Sequence, residues 1–514
     1  MGEDASIDPL EGMPMGVKVE LKGPESQVLE VPWGSWHLLA DRAVSFEDLP
    51  DPRAETMDWA GFGSRFEELT AVFLPRDPEG NLPCQAFRSL FSGYELFRTR
   101  TPEGDLLLTD DFRLAGKAGG KRKTSATSLL DYLLFQYPAG NDTFLPGVES
   151  LGPGEALTAN FHETGRPRFR QAEMLRLPRK VSPREALERV REVLPAAVEK
   201  SLQGAPGAAV LFSGGIDSTL LALFSGRRTI ALHAAIDSPE LSNEEDFAEI
   251  SCREMEKPLA RVLFSEAGFL EDLEDAVCRM GKPFPVTNFQ VVFHNRLFRL
   301  PYGLFLSGDT ADRLFGHALE PCGNWMSSPF SSLVRYCPPV LLCEMFGRDL
   351  VESRVGLYQK ALEKLAGQDV EALGDSVKID LSVFFGLPYW VHYFRPLAAA
   401  HGKRFIAPFS RRAVFEAAMS CPERHGPGAG HPKPLLREIL LEALPGYPVD
   451  AKKGGTGIPR TRFCQSGPMK GHFRTHELPS GIDPRFLPVF REPEWETSAL
   501  VLQAACYRTW EETL

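Results

Sequence analysis

The run Ala208-Ala-Val-Leu-Phe-Ser-Gly-Gly-Ile-Asp-Ser218 decides how the rest of this chain is read. Ala208 to Phe212 is wholly apolar, the pattern of a parallel strand buried on both faces. Ser213-Gly214-Gly215 stops it, and an apolar helical pattern from Ser218 to Phe224 begins at once. Strand, glycine turn and helix N-terminus in succession make an anion site. Glycines let backbone N–H groups close on phosphate oxygens, and the helix dipole adds partial positive charge. Ser213 and Ser218 add hydroxyl donors. Asp217 does not belong in a pure anion cradle unless a Mg²⁺ stands between it and the phosphates. A Walker-type loop carries a lysine here; this one does not, so the positive charge must come from elsewhere in the chain. The alternative is an ordinary strand-to-helix turn.

The bulk properties narrow the class. A length of 514 residues predicts two or three domains, each with its own core. Hydrophobic residues at 43% and charged residues at 25% are ordinary for a soluble globular protein. The net charge is −12, and the one basic block is Gly120-Lys-Arg-Lys-Thr124, a poor footprint for nucleic acid. Nine scattered cysteines contain no C-x-x-C pair, which suggests neither zinc nor a disulfide framework and fits a reducing cytoplasm. No apolar run is long enough to span a membrane, and the acidic start Met1 to Glu11 is no secretory signal. Met1-Gly-Glu-Asp-Ala-Ser6 matches the loose myristoylation pattern, but acidic residues follow the glycine and no second anchor is evident.

Three further stretches belong with the first. Leu304-Phe-Leu-Ser-Gly-Asp-Thr-Ala-Asp-Arg-Leu-Phe-Gly316 again reads as apolar strand, Ser-Gly turn and helix start, with carboxylates at Asp309 and Asp312. Pro432-Lys-Pro-Leu-Leu-Arg437 and the Gly-rich Val449-Asp-Ala-Lys-Lys-Gly-Gly-Thr-Gly-Ile-Pro459 supply lysines. Thr229 to Ile236 reads as the second strand of a βαβ unit, and ligands of such sheets bind beyond the carboxyl ends of the strands. Backbone groups near Ala235 and Ile236 are candidates to meet such a ligand, with Leu211 at the end of the first strand. His233 reads as a core histidine. The helix after Ser238 is expected to carry Phe247 and Ile250 on one face. Ser182-Pro-Arg-Glu185 reads as a capping box.

The first stretch resembles the SGGxDS pyrophosphate loop of the ATP pyrophosphatase superfamily, and the second resembles the SGEGSDELFGG motif of asparagine synthetases. The resemblance implies ATP and Mg²⁺ as cofactors. Ser213, Gly214, Gly215, Asp217, Ser218, Ser307, Gly308 and Lys433 would meet the nucleotide, with Leu211 and Ala235 at its base. Asp217 and Asp312 would hold the metal. Asp309 falls where asparagine synthetases have Glu and β-lactam synthetases Tyr, beside the reacting carboxylate and amine, where a base is useful; its alternative role is to cap the next helix. The loop at 449–459 is similar to the family's R-x-K-x-G loop and places Lys453 on the catalytic lysine. Ala451 stands where the family has Arg, and a one-residue shift would make Lys452 the catalytic group instead. Glu344 and Glu352 are possible counterparts of a β-lactam-branch glutamate, or solvated helix charges.

Residues 1–175 are the first expected domain and 181–514 the second. Strands are expected at Thr70–Leu74, Phe91–Thr99, Asp105–Thr109 and near Leu157–Phe161, with a helix at Ser128–Phe135. That order, with Phe144-Leu-Pro-Gly-Val148 and Leu151-Gly-Pro-Gly-Glu155, resembles the N-terminal αββα sandwich, of the Ntn-hydrolase type, of asparagine synthetases. Glutamine-using members process to an N-terminal Cys. Here the second residue is Gly2 and the first Cys is Cys84, so no thiol activated by its own terminal amine is expected. The fold class expected is therefore α/β: an inactive αββα half and a doubly wound parallel-sheet ATP pyrophosphatase half. The function implied is ATP-dependent amide formation through an acyl-adenylate. The expected nucleophile is an amine already on the substrate, as in lasso-peptide macrocyclisation, with a peptidase and a leader-binding protein as possible partners. The alternatives are β-lactam or carbapenam closure, ammonia-dependent asparagine synthesis, and a catalytically dead ATP-binding scaffold.

Overall fold

In the computed structural model the described residues are 16–54, 57–77, 80, 82–120, 123–160, 167–205, 207–237, 244–286, 290–316, 337–366, 390–422, 433–450, 459–475 and 477–514. Lys452, Lys453, Ala451, Cys322, Phe161, His476 and the acidic start lie outside them. The described chain groups into two compact units, residues 1–123 with 141–175, and residues 124–140 with 176–514.

Burial with period two explains the first unit. Strand β4 (Leu69–Pro75) turns Val72 toward one cluster and Leu69, Ala71 and Phe73 toward another, so it is covered on both faces. It sits inside a six-stranded sheet of order β10-β9-β5-β4-β3-β2. The others are β2 (Ser26–Val31), β3 (Gly34–Ala40), β5 (Cys84–Arg88), β9 (Glu155–Ala159) and β10 (Arg168–Gln171). Strands β1 (Val17–Glu20), β7 (Leu106–Thr109), β6 (Phe97–Arg100) and β8 (Val148–Ser150) form the facing sheet, in that order. Val72, Cys84, Ala86 and Leu157 meet Leu96, Leu106, Leu108 and Leu151 between the sheets. Helix α1 (Trp59–Gly63) covers the outer face of the larger sheet, its Trp59 stacked on Phe87 with centroids 5.1 Å apart. Helix α2 (Phe112–Ala118) covers the smaller sheet through Phe112 on Phe97. The layers thus run α, β, β, α.

The strand expected at Phe91–Thr99 begins only at Phe97. Residues before it are buried but irregular, because their backbone bonds go to side chains: Arg88 donates to the Ser92 carbonyl, and Thr70 Oγ1 donates to that of Tyr94. Strand β5, unanticipated, pairs between β4 and β9 instead.

The second unit is built on a five-stranded, all-parallel sheet of order β13-β12-β11-β14-β15. Its strands are β11 (Ala208–Leu211), β12 (Thr229–Asp237), β13 (Leu259–Ser265), β14 (Leu304–Leu306) and β15 (Arg404–Ile406). β11 is central and every residue of it is buried, as a parallel strand covered on both faces requires. Helix α3 (Ala126–Phe135) falls in this unit although its residues lie within the 1–175 expected for the first domain. A buried Asp131–Arg354 pair fastens it to the helix Arg348–Ala366. Helix α4 (Pro183–Ser201) opens on Ser182, whose hydroxyl accepts the Glu185 N–H. Only half of the expected capping box forms, since the Glu185 carboxylate turns to Arg189. Helix α5 (Ile216–Phe224) joins β11 to β12, and α6 (Glu244–Glu254) joins β12 to β13. The buried face of α6 is Ala248, Ser251 and Cys252, while Ile250 is 38% exposed. No described helix is long and apolar enough to cross a membrane.

Candidate functional site

Sheet order locates the site before any side chain is considered. From β11 the chain builds outward to β12 and β13, then returns to lay β14 and β15 on the other side. Beyond the carboxyl ends of β11 and β14 this reversal opens the crevice in which such sheets bind ligands. The loops that leave these two strands are Ser213–Gly215 and Ser307–Thr310. The second loop comes up against the start of the helix that follows the first: a Cβ on Gly308 would stand 2.9 Å from the Cβ of Asp217 and 3.4 Å from the Ser218 nitrogen.

The first loop is held from behind. Gly214 has φ +73°, and a Cβ there would lie 2.5 Å from backbone atoms of Phe247 and Ala248, so both conformation and space demand glycine. Its carbonyl accepts the Tyr447 hydroxyl at 2.7 Å and Ser251 Oγ at 3.2 Å. Ser213 Oγ and Ser218 Oγ lie 3.3 Å apart, and Ser218 Oγ donates to the Gly215 carbonyl. Helix α5 starts on Gly215 without a side-chain cap, so its positive N-terminus faces the loop, as an anion site needs. His233 bonds the Phe212 carbonyl through Nδ1 at 2.9 Å and is buried, a core histidine as its strand position implied. Ala235 lies on β12 opposite Leu263, and Leu211 on β11 opposite Leu232.

The second loop is strained. Thr310 has φ +81°, unusual for any β-branched residue. Its carbonyl accepts the N–H groups of Arg313 and Leu314 at 2.9 and 3.0 Å, opening a single π-helical turn, Asp312–Gly316. Such turns concentrate at functional sites. Among the described residues the buried Thr310 Oγ1 finds no hydrogen-bond partner. Asp309 accepts the Ser307 hydroxyl at 2.6 Å. Burial pushes its carboxyl up to about 6, helped by Asp312 and Asp217 and opposed by the serine bond.

Lys433 joins the two loops. Its ammonium lies 2.5 Å from Asp217 Oδ2 and 2.5 Å from Asp312 Oδ1. Burial opposes the lysine's charge, but the two carboxylates more than offset it and hold the ammonium above its ordinary range. The residue sits in the left-handed region, φ +63°, directly before Pro434 at the start of the helix Pro434–Ala443. Of the four non-glycine residues with positive φ among those described, Thr310 and Lys433 are both here. The Asp312 side chain is 65% exposed, so this corner opens to solvent.

The donor set suits a small hard cation. Mg²⁺ takes oxygen ligands and is usually held by one or two carboxylates together with phosphate oxygens. Asp217 and Asp312 both touch one nitrogen, so their oxygens face each other across the width of a single ion. The glycine loop beside them offers the phosphate side. The residues present fit the ion.

The structure brings together Ser213, Gly214, Gly215, Asp217, Ser218, Ser307, Gly308, Asp309, Asp312 and Lys433. Glu344 is exposed, and the likewise exposed Glu352 lies 3.5 Å from Arg348, so both are solvated helix charges. Sequence reading missed Tyr447, Ser251 and Thr310. Nothing in their spacing marks Tyr447 or Ser251. Thr310 had a signal, since the SGEGSDELFGG pattern has glycine at its position. In the first unit, burial pushes the Cys84 thiol up to about 12, the opposite of an activated nucleophile.

The family model for asparagine synthase matches residues 189–478, more than half of the chain. The chain belongs to the asparagine synthase family. Membership makes it an ATP-using amide ligase in general terms, and the family span holds β11, β14 and Lys433. Among solved structures, the chain is similar to the NH3-dependent NAD synthetase from Campylobacter jejuni subsp. jejuni NCTC 11168 in complex with the nitrate ion. The identity is 14%, over 37% of this chain and 99% of that one, with a TM-score of 0.19, too low to bear on the site. No curated protein matches the chain.

Proposed function

We propose that this asparagine synthase family member closes an amide within one substrate molecule, joining an amine and a carboxylate of the same peptide as in lasso-peptide macrocyclisation. The observation that carries the activation half is the meeting of two strand-end loops and Lys433 on one pair of aspartates at the sheet's switch point. The α5 N-terminus and the serine hydroxyls bind ATP phosphates, and Asp217 and Asp312 hold a Mg²⁺. Held by Asp217 and Asp312, the ion would supply charge neutralisation at the phosphates; the substrate carboxylate takes AMP and pyrophosphate leaves. Asp309, its carboxyl pushed up to about 6, takes the proton from the attacking ammonium or amine; the amide forms and AMP departs. Lys453 is assigned the role of neutralising the leaving pyrophosphate.

The intramolecular reading is supported by Cys84, the one cysteine in residues 1–175, whose buried thiol is unsuited to releasing ammonia from glutamine. An amine carried by the substrate then serves as the nucleophile in this reading. A peptidase that exposes a peptide's N-terminal amine and a leader-binding protein are the partners this reading calls for.

The test is pyrophosphate release with ATP and Mg²⁺ against three substrates: a synthetic peptide with a free N-terminal amine and a downstream Asp or Glu, a small β-amino acid, and aspartate with ammonium. Release with the peptide, accompanied by loss of one water from its mass, supports cyclisation. Turnover with aspartate and ammonium alone overturns it, and turnover only with the small amino acid moves the assignment to the β-lactam branch.

A further inference from the structure

We propose that Lys433 stands in for the divalent cation between Asp217 and Asp312, so that the cation enters only together with the nucleotide. This rests on the ATP and Mg²⁺ reading above and adds an order of binding to it.

The ammonium contacts both carboxylates that would ligate the ion, in the position a shared cation must take. A divalent ion arriving alone meets a positive charge buried at its own site, and this repulsion is strong away from water. The buried lysine gains nothing by moving away on its own, since leaving the two carboxylates forfeits both ion pairs. A triphosphate changes that balance. Its oxygens offer the ammonium a new anionic partner one side-chain swing away, while supplying the remaining ligands the ion requires.

The surroundings suit a lysine that moves. Its stem runs past Gly316, where a Cβ would come within 2.8 Å of Lys433 Cε and 3.3 Å of Asp312 Oδ1, so the glycine keeps the path clear. The ammonium is a compact charge on a flexible four-carbon stem, whereas the backbone it springs from is fixed before a proline. Asp312 is open to solvent on its far side, which gives the ion a way in.

The experiment titrates Mn²⁺ into the full chain by electron paramagnetic resonance, which reads free ion and needs no turnover. Nucleotide-free wild type should bind Mn²⁺ weakly, and Lys433→Met should bind it at least tenfold more tightly. Adding Asp312→Asn to Lys433→Met should abolish the gain. Wild type with α,β-methylene-ATP should bind as tightly as the methionine variant. If Lys433→Met does not fold, judged by circular dichroism, Gly316→Ala takes its place: its methyl displaces the ammonium while keeping the charge, and an intermediate gain is expected. Equal nucleotide-free affinity in wild type and variant overturns the proposal, as does a gain that survives Asp312→Asn. A variant gain without any effect of the nucleotide analogue sinks the ATP reading and leaves the masking by Lys433 standing.

Discussion

Asp309 shows how much a single half-buried carboxyl can link stability to pH. Its group is pushed from 3.8 to about 6 by burial, so the folded chain retains a proton that the unfolded chain releases. Through the window from about pH 4 to 6 the folded state binds more protons, and the stability it contributes falls as pH rises. Above that window the native state carries a desolvated charge. Asp309→Asn removes the charge without changing shape, so the variant should be more stable than wild type at pH 8 by about 2 kcal/mol. The gain should vanish near pH 4.5; urea unfolding at both values checks it. The same substitution should lower amide formation by about 100-fold if the group is the base. Its neighbour Thr310 pays a backbone cost in the left-handed region. Thr310→Gly should raise the unfolding free energy by about 1 kcal/mol, and a loss instead would mean that the side chain packs better than its orphaned hydroxyl suggests.

Elements are held by contacts that their own residues do not announce. The glycine turn after β11 needs Gly214 because α6 comes within a Cβ's reach of it. Gly214→Ala must push backbone against backbone and should cost about 3 kcal/mol or more, read as a lower thermal midpoint and lost nucleotide binding. Helix α3 depends on a partner 223 residues away, since Asp131 takes both Nε and a terminal nitrogen of Arg354 at 2.8 and 2.5 Å and is itself buried. Arg354→Met takes both guanidinium bonds from that buried carboxylate, so a loss of about 3 kcal/mol is expected. Adding Asp131→Leu should restore part of it, and the double-mutant cycle separates the pair's own worth from the penalty of a stranded charge.

At the scale of the molecule, only the parallel-sheet unit carries the candidate nucleotide site. Hydrogen exchange with and without α,β-methylene-ATP and Mg²⁺ should therefore show added protection at 208–225, 304–316 and 433–443. Residues 16–54 and 82–118 should be unchanged. At a nucleotide concentration 100 times its Kd the bound unit should gain about 2.7 kcal/mol. Much of this architecture could be read locally. The two strand–turn–helix stretches at 208–224 and 304–316 declare themselves because an apolar run, a Ser-Gly break and a helical period all lie within a few residues. Short-range chemistry settles them, and with them the parallel-sheet class of the second unit. The sequence alone also marked Asp217, Asp309, Asp312 and Lys433 as chemical groups. What only the folded chain decided is their meeting. Lys433 reaches Asp217 across 216 residues, because the order of strands in the sheet sets β14 beside β11 and the turn before Pro434 aims the stem between them. That order follows from burying every strand face at once, a sum over distant contacts that no local window of sequence contains.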